Sequence, residues 1–150
     1  MKEEIGDIWD RHQQGHWIVI TTNGTVKKNG EAVMGRGLAL QAKQRFPGVA
    51  KRLGEGIQVF GNVVTHWNEN GLIFFPVKAN WWEKADLELI KHSAECLSKL
   101  FLYLDTKTYQ TPIYLPHVGC GNGGLRWADV KPILEVRLDD RFLVIERQPA

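Results

Sequence analysis

Short unbroken apolar runs alternate along this chain with longer stretches in which apolar residues recur at helical spacing. Trp17-Ile-Val-Ile-Thr-Thr22 is β-branched through its centre and predicts a buried strand. Residues 35–46 predict a helix, with Leu38, Ala39, Ala42 and Phe46 on one face and Pro47-Gly48 to close it. Residues 57–67, holding Val59, Phe60, Val63 and Val64, predict a strand. Asn68-Glu-Asn-Gly71 is a turn signal, and Leu72-Ile-Phe-Phe75 is the returning partner strand. The best helical pattern covers residues 86–104, with Ile90, Ala94, Leu97 and Phe101 in one stripe and Asp86 as cap. Pro112-Ile-Tyr-Leu115 predicts another strand, residues 117–125 a loop, and residues 129–138 a helix with Val130, Ile133, Leu134 and Leu138 inward. Pro132 is expected in the first turn of that helix, where a missing N–H is harmless. Residues 141–146 close the chain as a last strand. Strands separated by helices predict an α/β fold: a three-layer α/β/α domain with a mixed central sheet that contains an antiparallel hairpin.

Composition narrows this picture without redirecting it. A length of 150 residues fits one domain over 1–150, and no repeat, low-complexity tract or linker suggests a boundary. Hydrophobic residues at 43% and charged residues at 24% exclude a disordered or collagen-like chain. The formal charge of +2 is too weak for non-specific coating of nucleic acid, although a local basic patch stays open. With Cys96 and Cys120 alone there is no disulfide framework, so a reducing, cytoplasmic setting is expected. The start, Met1-Lys-Glu-Glu-Ile-Gly6, has no signal-like apolar stretch, and no run approaches the ~20 residues of a membrane span. A monomer with no cofactor, no metal and no membrane partner is expected.

Two glycine-rich loops carry the chemistry. The first ends in Asn29-Gly-Glu-Ala-Val-Met-Gly-Arg-Gly37 and opens a helix; the second is Val118-Gly-Cys-Gly-Asn-Gly-Gly-Leu125 after a strand. Glycine lets a backbone turn sharply and approach a ligand closely, and helix N-termini offer free N–H groups to anions. Two such loops at the carboxyl ends of neighbouring strands would form the crevice where open α/β sheets bind nucleotides. Neither loop fits the P-loop or the dinucleotide fingerprint.

Taken in order, Gly6-Asp7-Ile8, Thr22-Asn23, Val33-Met-Gly-Arg-Gly-Leu-Ala-Leu-Gln-Ala-Lys43 with Phe46-Pro47, and Leu115-Pro-His-Val-Gly-Cys-Gly-Asn-Gly-Gly-Leu-Arg-Trp127 resemble a macro domain. The resemblance spans about residues 6–146. It lies nearest the branch holding the terminal ADP-ribose glycohydrolase and the antitoxins that remove ADP-ribose from DNA, and small phage and bacterial macro-like proteins share the second loop. The resemblance implies an ADP-ribose pocket. Asp7 would accept a hydrogen bond from the adenine amino group, with the Ile8 backbone beside it. Thr22 and Asn23 would lie at the distal ribose. Met34, Gly35, Arg36, Gly37 and Leu38 would wrap the diphosphate and distal ribose from one side, and Val118, Gly119, Cys120, Gly121, Asn122, Gly123, Gly124 and Leu125 from the other. Affinity of micromolar class, roughly −7 to −9 kcal/mol, is expected.

The chain departs from the family in three places. Val19-Ile-Thr-Thr-Asn23 keeps only the second asparagine of V-N-x-x-N. Residues 24–32, with Lys27-Lys28, lengthen the connection to the first loop. Gly123 stands where the glycohydrolase acting on proteins has an acidic residue.

Lys78, ending the Leu72–Val77 run, matches the lysine that attacks the ribose anomeric carbon in the related glycohydrolases; the alternative is a surface lysine after a strand. Asp7, Glu83 or a water would then have to move the proton. Trp81-Trp82 would either place a ring over ligand or nucleobase or form a lid packed on the core. Trp127 is expected to pack its helix against the second loop. His92, Cys96, His117 and Cys120 offer zinc ligands on paper, but neither spacing is a usual zinc pair. A His117–Cys120 catalytic dyad is the rival enzyme class. The function these residues imply is hydrolysis of an ADP-ribose conjugate, to DNA or protein, with nucleic acid a partner only as modified substrate. The alternatives are a module that sequesters ADP-ribose or a related nucleotide, and an ADP-ribose 1″-phosphate phosphatase.

Overall fold

A computed structural model describes residues 1–147. The chain runs β1 (Lys2–Ile5), α1 (Ile8–Gln13), β2 (His16–Asn23), α2 (Gly37–Arg45), α3 (Val49–Phe60), β3 (Thr65–Trp67), β4 (Leu72–Lys78), α4 (Leu87–Leu100), β5 (Gln110–Leu115), α5 (Trp127–Glu135) and β6 (Phe142–Glu146). The strands form one six-stranded sheet in the order β1-β6-β5-β2-β4-β3. All neighbours are parallel except β3, which pairs antiparallel with β4 at the edge.

Parallel strands covered on both faces have no solvent side, which explains the unbroken apolar runs of β2 and β4. Along each strand, side chains alternate between two cores. Trp17, Val19, Ile73, Phe75, Ile113 and Leu115 meet Ile90, Ala94 and Leu97 of α4 and Val130 and Leu134 of α5. Ile18, Ile20, Leu72, Phe74, Tyr114 and Ile145 meet Ile8 and Trp9 of α1, Ala42 of α2, and Val49, Ala50 and Leu53 of α3. This is the expected three-layer α/β/α arrangement with a mixed sheet. Asp86 caps α4 as its sequence predicts, accepting the Glu88 N–H at 2.9 Å.

The chain leaves β2 toward β4 on one side and β5 toward β6 on the other. The carboxyl ends of adjacent β2 and β5 are therefore the switch point at which open α/β sheets bind ligands. The gap there is physical. Strand β2 pairs with β5 at His16↔Gln110 and Ile18↔Tyr114, with a register shift between, whereas its pairing with β4 continues to Asn23↔Lys78. Pro116, immediately beyond β5, has no N–H to continue the ladder.

Several sequence expectations are corrected. Residues 57–60 end helix α3 instead of starting a strand, and only Thr65–Trp67 is extended. Val49, Ala50, Leu53 and Gly54 form the buried face of α3, while Val59 and Phe60 are exposed. Helix α5 starts at Trp127, so Pro132 lies inside the helix and not in its first turn. Helix α4 stops at Leu100, and Phe101–Tyr103 continue as a 3-10 turn. Strand β1 and helices α1 and α3 are not among the elements the sequence pattern predicts. Among the described residues no helix is long and apolar enough to cross a membrane.

The long connection at residues 24–32 folds back as a small hairpin. Val26 bridges Ala32, the Lys27 N–H donates to the Glu31 carbonyl at 2.8 Å, and the Val33 N–H to the Thr25 carbonyl at 3.0 Å. It rests on α3, where the Ala50 carbonyl accepts the Ala32 N–H at 2.8 Å. Gly54 makes that approach possible, because a Cβ there would collide with the Gly30 carbonyl oxygen.

Candidate functional site

The two glycine loops face each other across the gap between β2 and β5 and enclose a pocket of about 720 Å³. A smaller recess of about 270 Å³ adjoins it, sharing Leu38, Pro116 and His117 as walls. The main pocket has the volume of a small-molecule site. Lys27, Arg36 and Lys78 line it, and among the described residues no carboxylate does. Anions are favoured there on charge alone.

The first loop contributes Met34, Gly35, Arg36, Gly37 and Leu38 to the pocket wall. Arg36 is the N-cap of α2 in extended conformation, and among the described residues no side chain caps the helix. The leading N–H groups of α2 are thus left for an outside acceptor. Gly37 has φ +55°, which permits the turn into the helix. The second loop divides its residues between two tasks. Gly119, Gly121, Asn122 and Gly123 line the pocket, whereas Val118, Cys120, Gly124 and Leu125 do not. Val118 is fully buried in the core and Leu125 packs against it. A Cβ at Gly121 would meet nothing within 4 Å. At Gly123 it would collide with the Gly119 carbonyl and stand 2.8 Å from the Ala85 Cβ. An acidic side chain at 123 is therefore sterically excluded in this loop conformation.

The smaller recess holds Asp7 and Ile8. Asp7 caps α1 through Oδ1, which accepts the Trp9 N–H at 2.8 Å, and its Oδ2 accepts from Arg147 at 3.1 Å. Asn23 is a clasp at the end of β2. Its Nδ2 donates to the Val33 carbonyl at 3.1 Å, and its Oδ1 accepts the Thr25 N–H at 2.9 Å, so one amide N–H is left for a ligand. The Thr22 hydroxyl is buried at the pocket wall with no partner among the described residues. Lys78 sits beside Asn23 in the sheet register and lines the pocket. Its carbonyl accepts from Asn62 at 3.1 Å, and the next carbonyl, of Ala79, accepts the Gly24 N–H at 2.9 Å. Neither Asp7 nor Glu83 lines the main pocket with it.

Trp81 borders the pocket and Trp82 adjoins it; they are 48% and 65% exposed, so they are not a lid packed on the core. Trp127 does pack on the second loop, stacking on His117 with ring centroids 4.0 Å apart. Its Nε1 donates to Glu3 at 3.0 Å. A His117–Cys120 dyad does not form. His117 Nδ1 lies 3.5 Å from Glu146, the Cys120 thiol donates to the Val118 carbonyl at 3.5 Å, and burial, then the Glu146 charge, push that thiol up. His92 and Cys96 lie 3.6 Å apart on α4, remote in sequence from the other pair. Among the described residues no cluster of three metal-ligating side chains occurs. Sequence reasoning missed the pocket roles of Thr21, Thr25, Lys27, Val33, Ala39, Val77 and Pro116; Val33, Ala39 and Pro116 lie within the family-like segments, and the others line the site by adjoining the strand ends and the first loop.

No protein-family profile matches the chain. It is 30% identical over 120 residues to a DNA ADP-ribosyl glycohydrolase of Thermus aquaticus, covering 74% of this chain and 32% of that protein. The corresponding protein of Mycobacterium tuberculosis is 32% identical over 108 residues, covering 66% and 30%. The chain thus spans about a third of the length of these curated relatives. Among solved structures, the macrodomain of Thermus aquaticus DarG matches with a TM-score of 0.75 and 24% identity, over 99% of this chain and 97% of that one. The macrodomain of Mycobacterium tuberculosis DarG matches with a TM-score of 0.75 and 25% identity over the same shares. Thermosipho africanus DarTG in complex with ADP-ribose matches with a TM-score of 0.74 and 20% identity, over 99% of this chain and 43% of that one. With its two facing glycine loops at the β2–β5 switch point and these matches over the sheet and both loops, the chain is a macro domain of the branch that contains the DarG macrodomains.

Proposed function

We propose that the domain binds ADP-ribose and hydrolyses its bond to DNA. The observation that carries this is the pocket itself: glycine loops from two neighbouring strands facing each other, with Lys27, Arg36 and Lys78 in the walls and no carboxylate among the described lining residues. A diphosphate takes backbone N–H groups from two sides, and the uncapped start of α2 supplies one set. The smaller recess, with Asp7 and Ile8, suits the adenine, and Asn23 with Lys78 at the strand ends suits the distal ribose. The curated relatives at 30% and 32% identity are named for acting on ADP-ribosylated DNA, which supports the same bond as substrate here.

In this reading Lys78 works at the anomeric carbon of the distal ribose. With no carboxylate among the described lining residues, the proton that Nζ sheds passes to the departing base, directly or through water. The freed lone pair bonds to the anomeric carbon as the carbon–base bond breaks and its electron pair leaves with the base. Water then displaces Nζ, releasing ADP-ribose and restoring the lysine.

Mass spectrometry of an ADP-ribosylated single-stranded oligodeoxynucleotide incubated with the protein tests this, with calorimetry for free ADP-ribose. The parent should release ADP-ribose and leave the unmodified oligonucleotide. Lys78→Ala should retain ADP-ribose binding while turnover falls by at least ~10²-fold. Binding without cleavage of any conjugate by the parent would make the domain a sequestering module. No heat with ADP-ribose would remove the reading altogether.

A further inference from the structure

We infer that Trp81 and Trp82 form a stacking subsite for bases of single-stranded DNA, with Lys27 and Lys28 beside it for the phosphates, so that this rim selects DNA as the group attached to ADP-ribose. This rests on the function proposed above. Trp81 lines the pocket together with Lys27 and Lys78, and Trp82, the next residue, is not among the lining residues. Both rings are exposed, Trp82 by 65%. They cross at 87° with centroids 5.8 Å apart, so they do not stack on each other and each keeps a face for a planar partner.

The platform is built, not loose. The Trp81 N–H donates to Thr25 Oγ1 at 3.1 Å, Gly24 to the Ala79 carbonyl at 2.9 Å, and Ala85 to the Gly123 carbonyl at 2.9 Å. The same small hairpin that holds the Trp81 backbone through Thr25 carries Lys27 and Lys28, so the chain at Trp81 and the two lysines belong to one hydrogen-bonded unit. Glu31 accepts from the Asn29 amide and Glu83 from the Asn80 amide, which holds each side chain to its own loop. Interleaved aromatic rings and cations suit a single strand, whose bases expose their π-faces, and not a duplex, whose bases hide them. A peptide chain offers few planar groups to such a platform.

Trp82→Ala removes one ring outside the pocket wall. On an ADP-ribosylated single-stranded oligodeoxynucleotide its kcat/KM should fall about 5- to 100-fold, the loss of one base–aromatic stack. The Kd for free ADP-ribose and turnover of an ADP-ribosylated mononucleoside should stay within about twofold of the parent. Lys28→Ala should reduce the slope of log K against log salt for the oligonucleotide by roughly 0.7. An unmodified single-stranded oligodeoxynucleotide should quench the parent's tryptophan fluorescence, and quench Trp82→Ala less. That readout requires no hydrolysis. Quenching without cleavage would uphold the subsite and refute the glycohydrolase; cleavage without quenching would do the reverse. The subsite is also overturned if Trp82→Ala loses as much on the mononucleoside, or on an ADP-ribosylated peptide, as on the oligonucleotide.

Discussion

Two glycines of the second loop, two residues apart, should respond to substitution in opposite ways. A Cβ at Gly121 would meet nothing within 4 Å, and that empty space belongs to the pocket. Gly121→Val should leave stability within about 0.5 kcal/mol, as for a surface change. Its isopropyl group would occupy the space assigned to the diphosphate, so ADP-ribose binding should weaken by more than about tenfold, or ~1.4 kcal/mol. At Gly123 the added Cβ would strike the Gly119 carbonyl and the Ala85 Cβ, and backbone cannot rotate away as a side chain can. Gly123→Ala should cost ~1–3 kcal/mol, as overpacking does. For a chain of this length that lowers Tm by roughly 2–4 °C per kcal/mol, about 2–12 °C in all. Differential scanning fluorimetry reads stability, and calorimetry at a temperature where both variants are folded reads affinity. If Gly121→Val binds ADP-ribose like the parent, the second loop does not hold the diphosphate. If Gly123→Ala melts with the parent, the close approach of the loop to Ala85 does not limit the residue at 123.

Two further outcomes follow from titratable groups. Burial, ahead of the other influences, holds the His12 and His66 imidazoles below the ordinary value of 6.5. Between the depressed folded values and 6.5 the unfolded chain binds more protons, so stability is complete above 6.5 and falls as pH drops below it; urea midpoints at pH 7.5 and 5.5 should show this, and a His12→Gln, His66→Gln double variant should show a smaller difference. Cys120→Ala should keep oligonucleotide hydrolysis within about twofold, because the thiol is tied to the Val118 carbonyl and is not activated; a hundredfold loss would revive the cysteine hydrolase.

The interior of the fold was legible where burial on both faces leaves an unmistakable apolar run, as in β2 and β4, and where one stripe faces a core, as in α4. Helix α3 is hidden in the sequence, its end taking the look of a strand, because Val59 and Phe60 are apolar yet exposed, which breaks the helical period. The earlier signal, Val49, Ala50 and Leu53 with Gly54, was present but lay before the stretch that attracted the strand reading. Strand β1 is short and charged, and Ile5 is 66% exposed, so it has no apolar pattern; it is held by its parallel ladder to β6. At the site, glycine content located both loops, but not the direction of each side chain. Val118 and Leu125 turn to the core because the β5–α5 connection must also close the layer over Ala85 and Ile90. Asn23 bonds within the protein because the excursion at residues 24–33 needs its anchor.

The incomplete pairing of β2 with β5 leaves, in effect, a sheet edge inside the molecule. On one side of it lie β2, β4 and β3, on the other β5, β6 and the first strand, β1. A ligand lodged between the two glycine loops bridges that seam, acting as a non-covalent cross-link between early and late parts of the chain. Because it binds only the folded state, each tenfold excess over its Kd adds about 1.4 kcal/mol to the stability of the whole. The amides of the two loops and of the β2 and β5 carboxyl ends, which open most readily when the seam is empty, should be those whose hydrogen exchange slows most when it is filled.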